Sequence, residues 1–188
     1  MRKFLSLLML VVLTLAGMQT ARALETKQVG VPSQTTTCNY PVYTMNKYSQ
    51  GVSIYKKNVI GLEAGKVIKK IAFLGYTGAD KAYQTMDVYI GNTNLASTKT
   101  LIEDCEDTDG NAGATQVNTS GMTKFFSVPE GEQLEVAAAG SASEPVEILV
   151  FESEEGFEYT GENIVIYINL ATKSYSNYLY FIQSTNNG

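Results

Sequence analysis

The chain has 188 residues with no histidine and no tryptophan, and its 14 cations include only two arginines, Arg2 and Arg22. These absences exclude histidine general bases, Ser-His-Asp and Cys-His nucleophiles, and histidine zinc sites. Arg2, Lys3 and Arg22 all fall in the first 23 residues, so beyond them 11 lysines face 19 acids, a net charge of −8. A chain so acidic repels phosphate backbones, and nucleic acid is not an expected partner.

Met1-Arg2-Lys3 is a positive start, and residues 4–17 form an apolar run interrupted only by Ser6 and Thr14. Ala21-Arg22-Ala23 then places small residues at −3 and −1 of a cleavage point before Leu24. That order is a secretory signal peptide over residues 1–23. Its apolar run is shorter than the ~20 residues a bilayer core requires, and no later segment is longer, so no membrane insertion is expected after cleavage. The expected product is exported, to the periplasm, the outer surface or the exterior. An oxidising compartment makes a Cys38–Cys105 disulfide one reading of the two cysteines and two separate thiols the other.

Residues 24–39 are polar and read as a flexible lead-in; residues 40–188 are of a size for one domain. Short β-type runs follow in chain order at 52–55, 66–74, 85–92, 122–128, 134–138, 146–151, 164–170 and 178–183. In the second run Val67, Ile71 and Phe73 are expected in the core, with Lys69 and Lys70 outward. The third alternates most cleanly, with Met86, Val88 and Ile90 on one face and Thr85, Asp87 and Tyr89 on the other. Ile164, Ile166, Ile168 and Leu170 alternate with Val165, Tyr167 and Asn169 in the seventh. Only residues 58–64 carry a helical pattern, and 103–121 reads as one long polar loop. Eight strands with little helix predict an all-β fold, an antiparallel β-sandwich of jelly-roll or Ig type.

No phosphate-cradling glycine motif occurs, so carboxylate chemistry is what remains. Glu103, Asp104, Glu106, Asp107 and Asp109 precede Gly110 and Asn111, a cluster of hard oxygens that makes a weak calcium candidate. In an EF-hand register, however, position 1 is Cys105 and position 12 is Gln116, so a solvated acidic loop is the plainer reading. Glu152, Glu154, Glu155, Glu158 and Glu162 could in principle pair for glycoside hydrolysis, but a charged hairpin loop is the simpler account. Tyr40, Tyr43 and Tyr48 are the densest aromatic group and a candidate binding surface. Asn118-Thr119-Ser120 is a glycosylation sequon, relevant only in a eukaryotic secretory pathway.

Two stretches carry a family resemblance. Tyr48-Ser49-Gln50 with Ile54-Tyr55, then Gly61-Leu62-Glu63-Ala64-Gly65-Lys66-Val67-Ile68 leading to Ile71-Ala72-Phe73, and Asp87-Val88-Tyr89-Ile90-Gly91 are similar to the opening half of secreted and surface β-sandwich domains of Bacteroidetes. Those domains often stand beside adhesin or fibronectin type III-like modules. The stretch from Phe157 through Tyr159, Gly161 and Asn163 to Ile164 resembles their F-x-Y-x-G-x-N-[LI] strand entry. Where members often carry a Trp before that entry, this chain has Pro145-Val146-Glu147. The resemblance spans residues 40–184, implies an extracytoplasmic role in adhesion or binding, and transfers no site residue. The expectation is therefore an exported, non-enzymatic, cofactor-free module that recognises a cell-surface glycan or protein through loops. The alternatives are an envelope assembly protein that pairs by strand edges and a carboxylate-dependent glycosidase.

Overall fold

The computed structural model describes residues 25–106, 112–172 and 178–184, with backbone only for Gln34, residues 104–106 and residues 112–114. The segment read as a signal peptide lies outside the described residues. Within them the strands are β1 (Pro32–Thr37), β2 (Tyr48–Tyr55), β3 (Val67–Tyr76), β4 (Lys81–Tyr83), β5 (Thr85–Thr93), β6 (Ile102–Glu106), β7 (Ala112–Val117), β8 (Thr123–Ser127), β9 (Leu134–Val136), β10 (Val146–Glu158), β11 (Asn163–Ala171) and β12 (Tyr180–Ser184). The helix α1 (Lys57–Ile60) and a 3-10 turn at Thr98–Leu101 complete the order. No described helix is long and apolar enough to cross a membrane.

Two four-stranded sheets, β1-β12-β3-β10 and β2-β11-β5-β8, are antiparallel throughout. The result is the all-β sandwich expected from the strand pattern. Its centre follows from the period of two along each strand. Met86, Val88 and Ile90 of β5 are fully buried, as are Ile168 and Leu170 of β11, and Leu149, Phe151 and Phe181 of the opposite sheet meet them. Burying one such side chain stabilises the fold by ~1.5–3 kcal/mol.

Phe126 packs on Phe151 at 5.1 Å between ring centroids, tying β8 to β10 where the two sheets close on each other. A register shift in the β5–β8 pairing seats both Phe125 and Phe126 against the core although they are consecutive.

Several expectations are corrected. Residues 24–39 are not simply a lead-in, because 32–37 form the edge strand β1 on β12. Polar Pro-Ser-Gln-Thr-Thr-Thr carries no apolar alternation, so its strand state depends on β12 as a template. The polar stretch after residue 101 contains a hairpin, β6 on β7, and β4, which pairs with the expected strand at 134–136, was likewise unsignalled.

In β3, Val67 is 51% exposed whereas Ile68 packs on the core. The cause is the irregular register of β10 between Glu152 and Phe157, which also brings Lys69 Nζ onto the main-chain carbonyls of Glu154 and Glu155. Glu152, Glu154, Glu155 and Glu158 are thus exposed residues of one long strand and not of a hairpin loop. Glu162, in the turn that follows, meets Lys57 at 3.6 Å.

The F-x-Y-x-G-x-N stretch has a structural part to play. Phe157 and Tyr159 are buried, and Tyr159 exchanges main-chain hydrogen bonds with Gly65 and Lys66. Asn163 accepts from the Lys57 N–H and donates to the Leu95 carbonyl, each at 3.0 Å, joining three chain segments through one amide.

Between the sheets, residues 38–47 cross from β1 to β2 with Val42 and Thr44 completely buried. The crossing runs directly over Gly51, where an added Cβ would collide with the Pro41 carbonyl oxygen and press on the Val42 Cα. Gly51→Ala is expected to cost ~2 kcal/mol or more, since backbone must shift. Gly78, with open space around it, should accept alanine within ~0.5 kcal/mol; urea unfolding of the two variants checks the contrast.

Burial also pushes the Tyr55 phenol up to about 12. The fold holds this proton more tightly than the unfolded chain does, so the stability it contributes is complete below pH ~10 and lost as the pH climbs to ~12. Melting temperatures measured from pH 9 to 12 should fall across that window, and less steeply for Tyr55→Phe.

Candidate functional site

At one end of the sandwich the crossing 38–47 meets Leu179, just before β12, and Thr172, which follows β11 and in turn reaches β4. Hydrogen bonds hold these segments together. The Leu179 N–H donates to Thr44 Oγ1 at 2.8 Å, and the Thr172 N–H donates to the Lys47 carbonyl at 2.8 Å. Thr172 Oγ1 donates to the Ala82 carbonyl at 3.1 Å. Tyr83 is fully buried beside these contacts; burial raises its phenol above the ordinary range against the opposing pull of its hydrogen bond with Thr44.

On this frame sits a group of tyrosines. Residue 179 points inward and is fully buried, so period-two geometry turns Tyr178 and Tyr180 outward together. The β12–β3 register pairs Tyr180 with Tyr76, and their rings stack at 5.0 Å with 16° between planes. Tyr178 meets Tyr180 edge-on at 5.1 Å, and the Lys81 ammonium lies 5.3 Å from the centre of the Tyr178 ring. A hydrogen bond with Tyr178, together with partial burial and the neighbouring Tyr76 and Cys38, raises the Tyr180 phenol.

The result is a half-buried, amphipathic surface of three phenols and one cation. Aromatic bodies supply contact area at low entropy cost, and the hydroxyls and ammonium supply directional hydrogen bonds.

The candidates read from sequence are placed as follows. Tyr43 lies in the crossing segment, and its hydroxyl donates to Met45 Sδ at 3.3 Å. Tyr40 and Tyr48 are 66% and 79% exposed, and among the described residues neither joins a ring contact. Cys38 is a free thiol, half-buried, at the end of β1. The side chain of Cys105 lies outside the described residues, as do those of Asp104, Glu106, Asp107 and Asp109. Glu103 is exposed and accepts from Asn118 Nδ2 at 2.6 Å. That bond, with the Ser120 N–H donated to Asn118 Oδ1, occupies the sequon amide in a local turn. Among the described residues no three His, Cys, Asp or Glu side chains converge.

Sequence reading missed Tyr76, Tyr178 and Tyr180 as a set. The i, i+2 spacing of Tyr178 and Tyr180 was a usable signal once residue 179 was assigned inward. Tyr76 enters only through a pairing 104 residues distant in the chain.

A second aromatic pair lies on the outer face of the other sheet, where Tyr89 stacks on Tyr167 at 5.7 Å. Here Lys124 Nζ reaches Asp87 Oδ1 at 3.2 Å, Ser127 Oγ donates to the same oxygen, and Tyr167 is 7% exposed. These groups satisfy one another, and the pair serves the sheet.

No family model, curated protein or solved structure matches this chain.

Thr44 is the keystone of the site. Thr44→Val keeps its shape but removes the acceptor for the buried Leu179 N–H, which should lower stability by ~1–3 kcal/mol. Chemical unfolding, followed by tyrosine fluorescence and circular dichroism, checks that range.

Proposed function

We propose that this protein is an exported, non-catalytic binding module that contacts a glycan or a protein at a cell surface through the tyrosine-rich end of its sandwich. The observation that carries this reading is the grouping of Tyr76, Tyr178, Tyr180 and Lys81 on a frame of buried hydrogen bonds. Such a surface is suited to binding because its rings are held before a ligand arrives, which lowers the ordering cost of association.

The residue types add support. A chain with no histidine has few routes to general base catalysis at neutral pH, and the exposed glutamates of β10 stand along a strand edge and do not face one another across a cleft. The positive, apolar and small-residue order of the first 23 residues supports export. The resemblance of residues 40–184 to Bacteroidetes surface domains supports the same class of role.

The test is direct. Mature protein on a glycan array and in pull-downs from cell-surface extracts is expected to retain a defined ligand. The double variant Tyr76→Ala, Tyr180→Ala should weaken that retention at least tenfold while far-UV circular dichroism stays unchanged. Undiminished retention by the double variant would move the contact surface elsewhere, and no retention by the wild type in either assay would remove the reading.

A further inference from the structure

We propose that the protein forms a closed dimer in which β2 pairs antiparallel with β2 of a second copy, an association independent of what the tyrosine-rich end binds. Among the described residues the two large sheets have four edges, β1, β10, β2 and β8. Three are guarded in the ways that edge strands commonly are. β1 opens on Pro32 and its register shifts; β8 is five residues long, carries Lys124 and is also shifted. β10 carries Glu147, Glu152, Glu154, Glu155 and Glu158, and its pairing is irregular. β2 has none of these devices. Its eight residues, Tyr48-Ser49-Gln50-Gly51-Val52-Ser53-Ile54-Tyr55, include no charge and no proline, and they pair with β11 without a break.

Pairing with β11 uses the main-chain groups of one side of the strand. Alternate residues turn their N–H and C=O to the opposite side, and among the described residues no main-chain hydrogen bond reaches that side of β2. The 3-10 turn at Thr98–Leu101 lies against β2 without bonding to its main chain. The unbroken register with β11 therefore holds an extended template whose outer edge has donors and acceptors to offer.

Charge and symmetry select the occupant. Beyond residue 23, 11 lysines face 19 acids, a net charge of −8, so two copies repel over most of their surfaces and approach most readily along a strand without carboxylates. A two-fold axis perpendicular to the sheet keeps the same face of both strands on the same side, and so pairs residues whose numbers have the same parity. Centred on Val52, it sets Val52 against its own copy, Ile54 against Gln50 of the partner subunit, and Tyr48 against Lys56 of the partner subunit. Lys56 is still extended where it follows β2. These pairs lie on the face where Ile54 and Val52 already stand beside the buried Val165 and Tyr167 of β11. Two β-branched side chains meet across the axis, and the ring of Tyr48, 79% exposed in the single chain, gains a cation. The contact is isologous and stops at two copies, joining β8-β5-β11-β2 to its own mate in one continuous sheet.

Strand pairing alone makes a small interface, so association is expected between micromolar and millimolar protein. Sedimentation velocity of the mature chain in reducing buffer should pass from monomer to dimer across that range and go no further. Hydrogen exchange compared at the two ends of the range should show alternate β2 amides slowed at least tenfold in the concentrated sample, with β8 unchanged. Val52→Lys, which places like charges directly opposite each other, should weaken dimerisation at least tenfold, whereas Val52→Thr and the β8 variant Thr123→Lys should leave it intact. The exchange measurement uses the wild type and carries the test should Val52→Lys fail to fold. A wild type that stays monomeric at millimolar concentration overturns the proposal, as does a dimer that leaves the β2 amides unprotected, or an assembly that grows beyond two copies.

Discussion

Everything in this sandwich depends on β11 being buried on both faces. Its nine residues pair without a break to β5 and, for eight of them, to β2. Ile164, Ile166, Ile168 and Leu170 fill the core side while Val165 and Tyr167 are covered on the other. A strand with no wet face cannot slip by one residue without exchanging two packed surfaces, so its register fixes that of its neighbours. The position of Tyr89 against Tyr167, and the placing of Asn163 between three segments, both follow from it.

The other sheet is built on looser terms and hosts the candidate site. Its edge strand β1 is polar, β12 pairs with β3 over a short length, and β10 is irregular. The tyrosine-rich end is anchored instead by the crossing 38–47, whose Val42 and Thr44 are completely buried and whose Thr44 accepts from the Leu179 N–H. A binding surface placed there has a fixed floor and accessible rims, the division of labour common to loops carried on β scaffolds.

Much of the architecture was legible in the sequence because burial imposes a period of two. Met86, Val88 and Ile90, and the isoleucines of β11, were readable from alternation alone, and all are buried. What escaped had no such signal. The Pro-Ser-Gln-Thr-Thr-Thr of β1 offers no apolar face, and the acidic composition of β6 suggested a loop although main-chain pairing with β7 is indifferent to side-chain charge. Val67 was misplaced because a bulge in a partner strand 85 residues away shifts the local phase. The tyrosine group was hidden for a related reason: local spacing shows Tyr178 and Tyr180, but only the fold brings Tyr76 beneath them.

Among the described residues, the hairpin β6–β7 touches the remainder of the protein chiefly through the 3-10 turn that precedes it. A two-stranded ribbon of this kind has little cooperative stake in the core. Its opening would leave the sandwich intact, and its length and composition are therefore released from the demands of folding. In evolutionary terms it is the part of the molecule where change is cheapest: an appendage that can diverge between descendants of one ancestor while the packed strands beneath it hold still.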